Sequence, residues 1–141
     1  MRSWFASVVV VSFAACGGSS KPAAQPAAPS ATAQIEHGKQ LYGAKCASCH
    51  GDAGQGTDKG PPVVGKEAFP LEPRDRAKRD VRFHTAADVF AWATKHMPAD
   101  APGSLSTDEY LAIFAFDLTA NGIVLEQPLD GAKAQSIVLH P

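Results

Sequence analysis

The stretch Cys46-Ala47-Ser48-Cys49-His50 limits what this chain can be more than any other. Two thiols separated by two residues, with a histidine directly after the second, match the signature for covalent haem attachment. The chemistry explains the spacing. Each thiol can add across one haem vinyl group, and the next histidine then stands close enough to bind the iron on its proximal side. Two other chemistries use C-x-x-C. A redox pair of the thioredoxin kind needs a βαβ setting, whereas the flanks here read as helix and glycine-rich loop. A zinc site draws on a second C-x-x-C or an H-x-x-x-H, and neither follows. The motif therefore points to one covalent haem c on Cys46 and Cys49, with His50 on the iron.

The 141 residues make room for one ordinary domain. A formal net charge of −1 supplies no basic face, so nucleic acid is not an expected partner. Alanine-rich helical patterns and Gly/Pro-rich connections dominate, and strand-like alternation is scarce. These features predict an all-α domain of about three main helices plus loops, with a core completed by something other than protein. Such a domain is expected to fold poorly without its cofactor.

Three cysteines is an odd number, and the motif leaves Cys16 over. Before it come Arg2 and an apolar run from Trp4 to Ala15 broken only by Ser7 and Ser12. A basic start, a short apolar stretch and a small-residue end form an export signal over residues 1–15. The run is too short for a comfortable span, which takes about 20 residues. Phe13-Ala14-Ala15-Cys16 is similar to a bacterial lipobox, in which the cysteine is lipidated and becomes the new N-terminus. Phe13 departs from the usual leucine, and the alternative is an ordinary secretory signal followed by a stray cysteine. The lipidated reading predicts a protein on the periplasmic side, held to a membrane through Cys16. Residues 16–33, rich in Gly, Ser, Ala and Pro, have little to bury and read as a disordered tether. The folded domain is expected over 34–141.

From about Gln34 the spacing predicts a first helix, in which Gly38 and Tyr42 share a face. A glycine inside a helix costs about 1 kcal/mol relative to alanine, which calls for a reason such as a close helix crossing. Gly51 to Gly56 reads as loop, and Gly60-Pro61-Pro62-Val63-Val64-Gly65 as a stiff turn able to lay backbone on the proximal side of a haem. Thr85, with Asp88 three residues on, signals a second helix that must stop before Pro98. Ser106-Thr107-Asp108-Glu109 forms a capping box for a third helix, with Leu111, Phe114, Ala115 and Leu118 on one face and an end at Asn121-Gly122. Residues 128–141 read as a tail with a short turn at Asp130 to Gln135. The run of mixed charge from Glu72 to Arg82 reads first as a solvated loop and second as a docking patch or a partner for haem propionates.

These residues carry a family resemblance. From about residue 34 to 125 the chain resembles a class I, mitochondrial-type c-type cytochrome domain through Gly38-x-x-x-Tyr42, Cys46 to His50, Gly60-Pro61, Met97-Pro98 and the helix from Leu105 to Gly122. The resemblance implies a small cytochrome c fold whose first and last helices cross nearly at right angles. An aromatic of the last helix, Tyr110, Phe114 or Phe116, would then lie against the glycine. It also implies His50 as proximal ligand, its other ring nitrogen fixed by the Pro61 carbonyl, and Met97 as distal ligand. Only Met1 and Met97 offer thioethers, and Met1 leaves with the signal. His37, His84, His96 and His140 remain competitors for the distal position. Trp92 has two readings, a core aromatic or an indole N–H donor to a haem propionate. The segment around Met97-Pro98 is similar to bacterial single-haem members, some of which are electron-carrying subunits or domains of periplasmic dehydrogenases. A single-electron carrier follows, with unidentified redox proteins as partners. A ligand sensor would need Met97 to leave the iron, and the peroxidases of the family need two haems.

Overall fold

The computed structural model describes residues 29–74 and 79–140. The signal, Cys16, most of the tether, and the middle of the charged run lie outside the described residues. Five helices follow in order: α1 (Ala31–Lys45), α2 (Ala47–His50), α3 (Ala86–His96), α4 (Thr107–Ala120) and α5 (Gly131–Ser136). Among the described residues the sole β feature is an isolated antiparallel bridge between Thr85 and Val138. No described helix is long and apolar enough to cross a membrane. The all-α expectation holds, with two short helices added to the three long ones.

Local chemistry sets the helix ends. The Ser30 hydroxyl accepts from the Ala33 amide, so α1 opens at Ala31 rather than at about Gln34, and residues 31–33 belong to the helix instead of the tether. Thr85 with Asp88, and Ser106 with Glu109, each form a reciprocal capping box in which two otherwise orphaned amides gain partners. The C-cap of α3 is Met97, extended at φ −122° and ψ 150°, as the following proline requires. Past Asn121, Gly122 takes φ +86° and turns the chain away from α4.

The crossing of α1 and α4 organises the packing. A Cβ placed on Gly38 would stand 1.8 Å from the Ala112 carbonyl oxygen, so only glycine lets the two backbones touch. The aromatics expected at Gly38 sit elsewhere. Phe116 packs on Tyr42 with ring centroids 5.3 Å apart, one turn along α1. Phe114 faces the other way, edge-on to Phe90 and stacked on Phe69. Tyr110 reaches the end of α3.

Helix α4 is buried nearly all round, from Tyr110 through Ala115 and again at Asp117 and Leu118. The expected single apolar face was therefore too narrow, because α1 covers one side while α3 and the aromatic loop residue Phe69 cover another. A small cluster of Tyr42, Ala47 and Ile113 lies beside the C-x-x-C-H turn. A larger one gathers Phe83, Val89, Leu111, Phe114, Leu118, Leu125 and Leu129. The short α5 closes the larger cluster with Ala134. The side-chain amide of Gln34 holds the chain just ahead of α5 through both the N–H and the carbonyl of Leu129.

Candidate haem site

Cys46 ends α1, and Ala47 to His50 form the single turn α2, so the motif is one continuous helical bend. Both Cys46 and Cys49 carry free, half-buried thiols. Burial first, then the Asp117 carboxylate and Cys49 beside it, push the Cys46 thiol up to about 12. A thiol–disulfide pair works through a stabilised thiolate, which this environment disfavours at Cys46. It suits a thiol that ends as a neutral thioether.

His50 is fixed by its neighbours. Its Nδ1 lies 2.7 Å from the Pro61 carbonyl oxygen. A carbonyl has no hydrogen to give, so Nδ1 carries the proton and donates, and Nε2 keeps a free lone pair. The loop that supplies Pro61 is held from both ends. The Gly56 amide donates to the His50 carbonyl at 2.7 Å, and the Thr57 hydroxyl donates to the Cys49 carbonyl. Gly60 rests on Cys49 so closely that a Cβ there would meet the Cys49 carbonyl oxygen at 2.9 Å. Further along, Asn121 clamps the loop by donating from Nδ2 to the Val63 carbonyl and accepting at Oδ1 from the Gly65 amide. The Tyr42 hydroxyl ties α1 to the residue after His50 by donating to the Gly51 carbonyl at 2.8 Å.

Met97 is half-buried, with its amide bonded to the Ala93 carbonyl and its own carbonyl receiving the Tyr110 hydroxyl. Two of the competing histidines also give one ring nitrogen each to a backbone carbonyl. His96 stacks on Trp92 at 4.5 Å and bonds the Trp92 carbonyl through Nδ1, and His140 bonds the Phe69 carbonyl through Nε2. His37 and His84 are exposed.

Trp92 packs edge-on to Phe83 against the larger core cluster, as its space-filling reading predicts. Its Nε1 is nevertheless fully buried with no hydrogen-bond partner among the described residues. A buried donor left alone costs roughly 1–3 kcal/mol, a cost that an acceptor from outside the polypeptide would offset. A haem propionate is such an acceptor.

The charged run is only partly a solvated loop. Arg82 and Glu72 form an exposed ion pair at 2.8 Å. Arg79 is buried, lies 3.7 Å above the Phe83 ring, and gives its guanidinium to the carbonyls of Pro70, Leu71 and Glu72. Five donors in a planar fork let Arg79 staple a loop where a lysine could not.

A helical domain built on a C-x-x-C-H bend, with the histidine tautomer set by a backbone carbonyl, has the architecture of a c-type cytochrome. The comparison with known proteins agrees. Residues 33–116, more than half the chain, match the family model described as cytochrome c oxidase, cbb3-type, subunit III, and the chain belongs to that cytochrome c family. Haem binding and electron transport come with that membership.

The chain is 37% identical over 87 residues to a thiosulfate dehydrogenase of Stutzerimonas stutzeri (strain A1501), an alignment taking in 58% of this chain and 26% of that protein. It also resembles a chain in the crystal structure of the sulfane dehydrogenase SoxCD from Paracoccus pantotrophus, at a TM-score of 0.57 and 28% identity. That match covers 79% of this chain and 59% of the other. The chain thus spans about a quarter of the first relative and under two thirds of the second.

Proposed function

We propose that this protein carries single electrons on one haem c attached through Cys46 and Cys49, with His50 and Met97 as axial ligands. When bound, the haem supplies a one-electron Fe(III)/Fe(II) couple. The observation that carries the reading is the 2.7 Å contact between His50 Nδ1 and the Pro61 carbonyl, which leaves Nε2 as the donor atom and fixes the ring plane. Tyr110 and the α3 C-cap hold the Met97 backbone, and a thioether there favours the ferrous state and raises the potential. Trp92 Nε1 would donate to a propionate. Filling both axial positions leaves no place for substrate, so the domain moves electrons rather than transforming a molecule.

The names of the relatives support a more specific role. Both are dehydrogenases acting on sulfur compounds, so the electron donor of this protein would be a dehydrogenase of that class, acting as a separate enzyme or as a larger assembly that includes this domain. The signal-like residues 1–15 and the lipobox-like Cys16 support export and lipid anchoring on the periplasmic side, with residues 17–30 as spacer.

Visible spectra of the purified holoprotein test the assignment. A far-red sulfur-to-iron band when oxidised, and no response to carbon monoxide when reduced, is the expected result. Rapid carbon monoxide binding without that band would overturn Met97 as ligand and move sensing or catalysis ahead. Thiosulfate alone should leave the oxidised protein unreduced. Direct reduction would overturn the carrier reading in favour of an enzyme.

A further inference from the structure

Among the described residues, two polar or charged side chains are buried, Arg79 and Asp117. Arg79 has carbonyl partners for its guanidinium. Asp117 is different: it is 5% exposed, and its Oδ1 has no hydrogen-bond partner. It lies one turn beyond Ile113 on α4, on the side that meets Tyr42 and Cys46 of α1, and it acts electrostatically on both. Among the described residues no basic side chain compensates it. The Tyr42 hydroxyl is committed to the Gly51 carbonyl, and the Asn121 amide to the Val63 and Asp117 carbonyls. Asp52 is exposed beyond Tyr42. Burial alone raises the Asp117 pKa well above the usual carboxylate range.

A buried carboxyl with an empty acceptor position is costly unless it is neutral or faces a charge. With haem attached, the Cys46 sulfur would be a thioether that no longer titrates, and the charge change on that side of Asp117 would be that of the haem. We propose that Asp117 is a redox-linked proton site, its carboxyl protonated while the haem is reduced and ionised while the haem is oxidised. The inference rests on haem attachment at Cys46. On reduction, the donor protein gives one electron to the iron and bulk water gives one proton to an Asp117 oxygen, forming an O–H bond. On oxidation the electron leaves to the acceptor protein, the O–H bond breaks, and the proton returns to solvent. The ferric haem carries one more positive charge than the ferrous, and in a low-dielectric interior that charge favours the carboxylate. The two equilibria are therefore coupled.

Potentiometric titration of the holoprotein across mildly acidic to mildly alkaline pH tests the proposal, alongside Asp117→Asn and Asp117→Leu. The wild-type midpoint potential should fall as pH rises, by up to about 59 mV for each tenfold drop in proton concentration. Both variants should be flat over the same window. A flat wild-type potential overturns the proposal, and so does a slope retained in both variants, which would assign the coupling to the haem propionates. If neither variant loads haem, the redox-difference infrared spectrum of the wild type decides. A carboxylic C=O band that grows on reduction and shifts in heavy water supports the proposal, and its absence overturns it. Lack of covalent haem in the wild type would instead remove the proposed function, a result distinguishable from haem present at a pH-independent potential.

Discussion

The hydroxyl of Tyr110 on α4 donates to the main-chain carbonyl of Met97 at the end of α3. A buried tyrosine thus decides where the candidate distal ligand begins its reach. In Tyr110→Phe the Met97 carbonyl loses its donor while the ring keeps its packing. The stability loss should be about 1 kcal/mol. The far-red band should weaken at a lower temperature than in the wild type, as a thermal series of oxidised spectra would show. A band unchanged in intensity and thermal midpoint would mean that Met97 is positioned without Tyr110.

Gly38→Ala tests the helix crossing. The added carbon collides with the carbonyl of Ala112, which is backbone and has no rotamer to escape into. Overpacking of this kind costs about 1–3 kcal/mol and occasionally more, and this site belongs at the upper end. The denaturant midpoint of the holoprotein should drop accordingly. By contrast, Gly43→Ala meets nothing within 4 Å and should be neutral or slightly stabilising.

The capping boxes predict acid sensitivity. Asp88 is held below the usual carboxylate range chiefly by the Thr85 amide, and Glu109 by the Ser106 amide. A carboxylate depressed in the folded state adds stability above its unfolded pKa of about 4, and that stability is lost as pH falls through the folded value. Thr85→Ala should cost about 1 kcal/mol at neutral pH, through the cap itself. Asp88→Asn, which removes the titrating carboxyl while the Thr85 amide stays, should show a shallower loss on acidification than the wild type in denaturant melts over a pH series.

Asp117 predicts the opposite sign. Its pKa is raised in the folded chain, so the unfolded chain gives up its proton first. Stability from this residue is therefore full below about pH 4 and declines as pH rises towards the folded value. Asp117→Asn should flatten that decline, leaving the variant's advantage over the wild type larger at neutral than at acid pH. A constant difference across the series would mean the carboxyl is not the group responsible.

Much of the site could be read from neighbouring letters. Both capping boxes, the stop before Pro98 and the Cys46–His50 bend depend on residues a few positions apart, and the Pro61 carbonyl reaches His50 across a short loop. Contacts between distant residues were harder to read. Nothing local marks Gln34 as the clamp on Leu129, since a glutamine on a helix reads as surface. Helix α5 looked like a turn because six residues have little propensity of their own, and it persists by docking Ala134 into the core. Arg79 in a run of charges reads as solvated, and only the folded loop shows the carbonyls it holds. Asp117 hid for a related reason. A single apolar stripe was expected on α4, and an aspartate off that stripe would face water, but the helix is enclosed on its other sides as well.

The contact of Gly38 with Ala112 has a consequence in time. A chain grows and emerges from its N-terminal end, so the bend carrying both thiols is made well before the last long helix that packs over α1. Until α4 arrives, Cys46 lacks the cover that Ile113 and Asp117 give it, and haem attachment there would meet an open segment. Once α4 docks, Cys46 packs beside Tyr42 and Ile113 and stays only half-buried, so that access narrows. The contact of one glycine near the start with one alanine near the end would thus favour haem attachment at Cys46 before α4 docks.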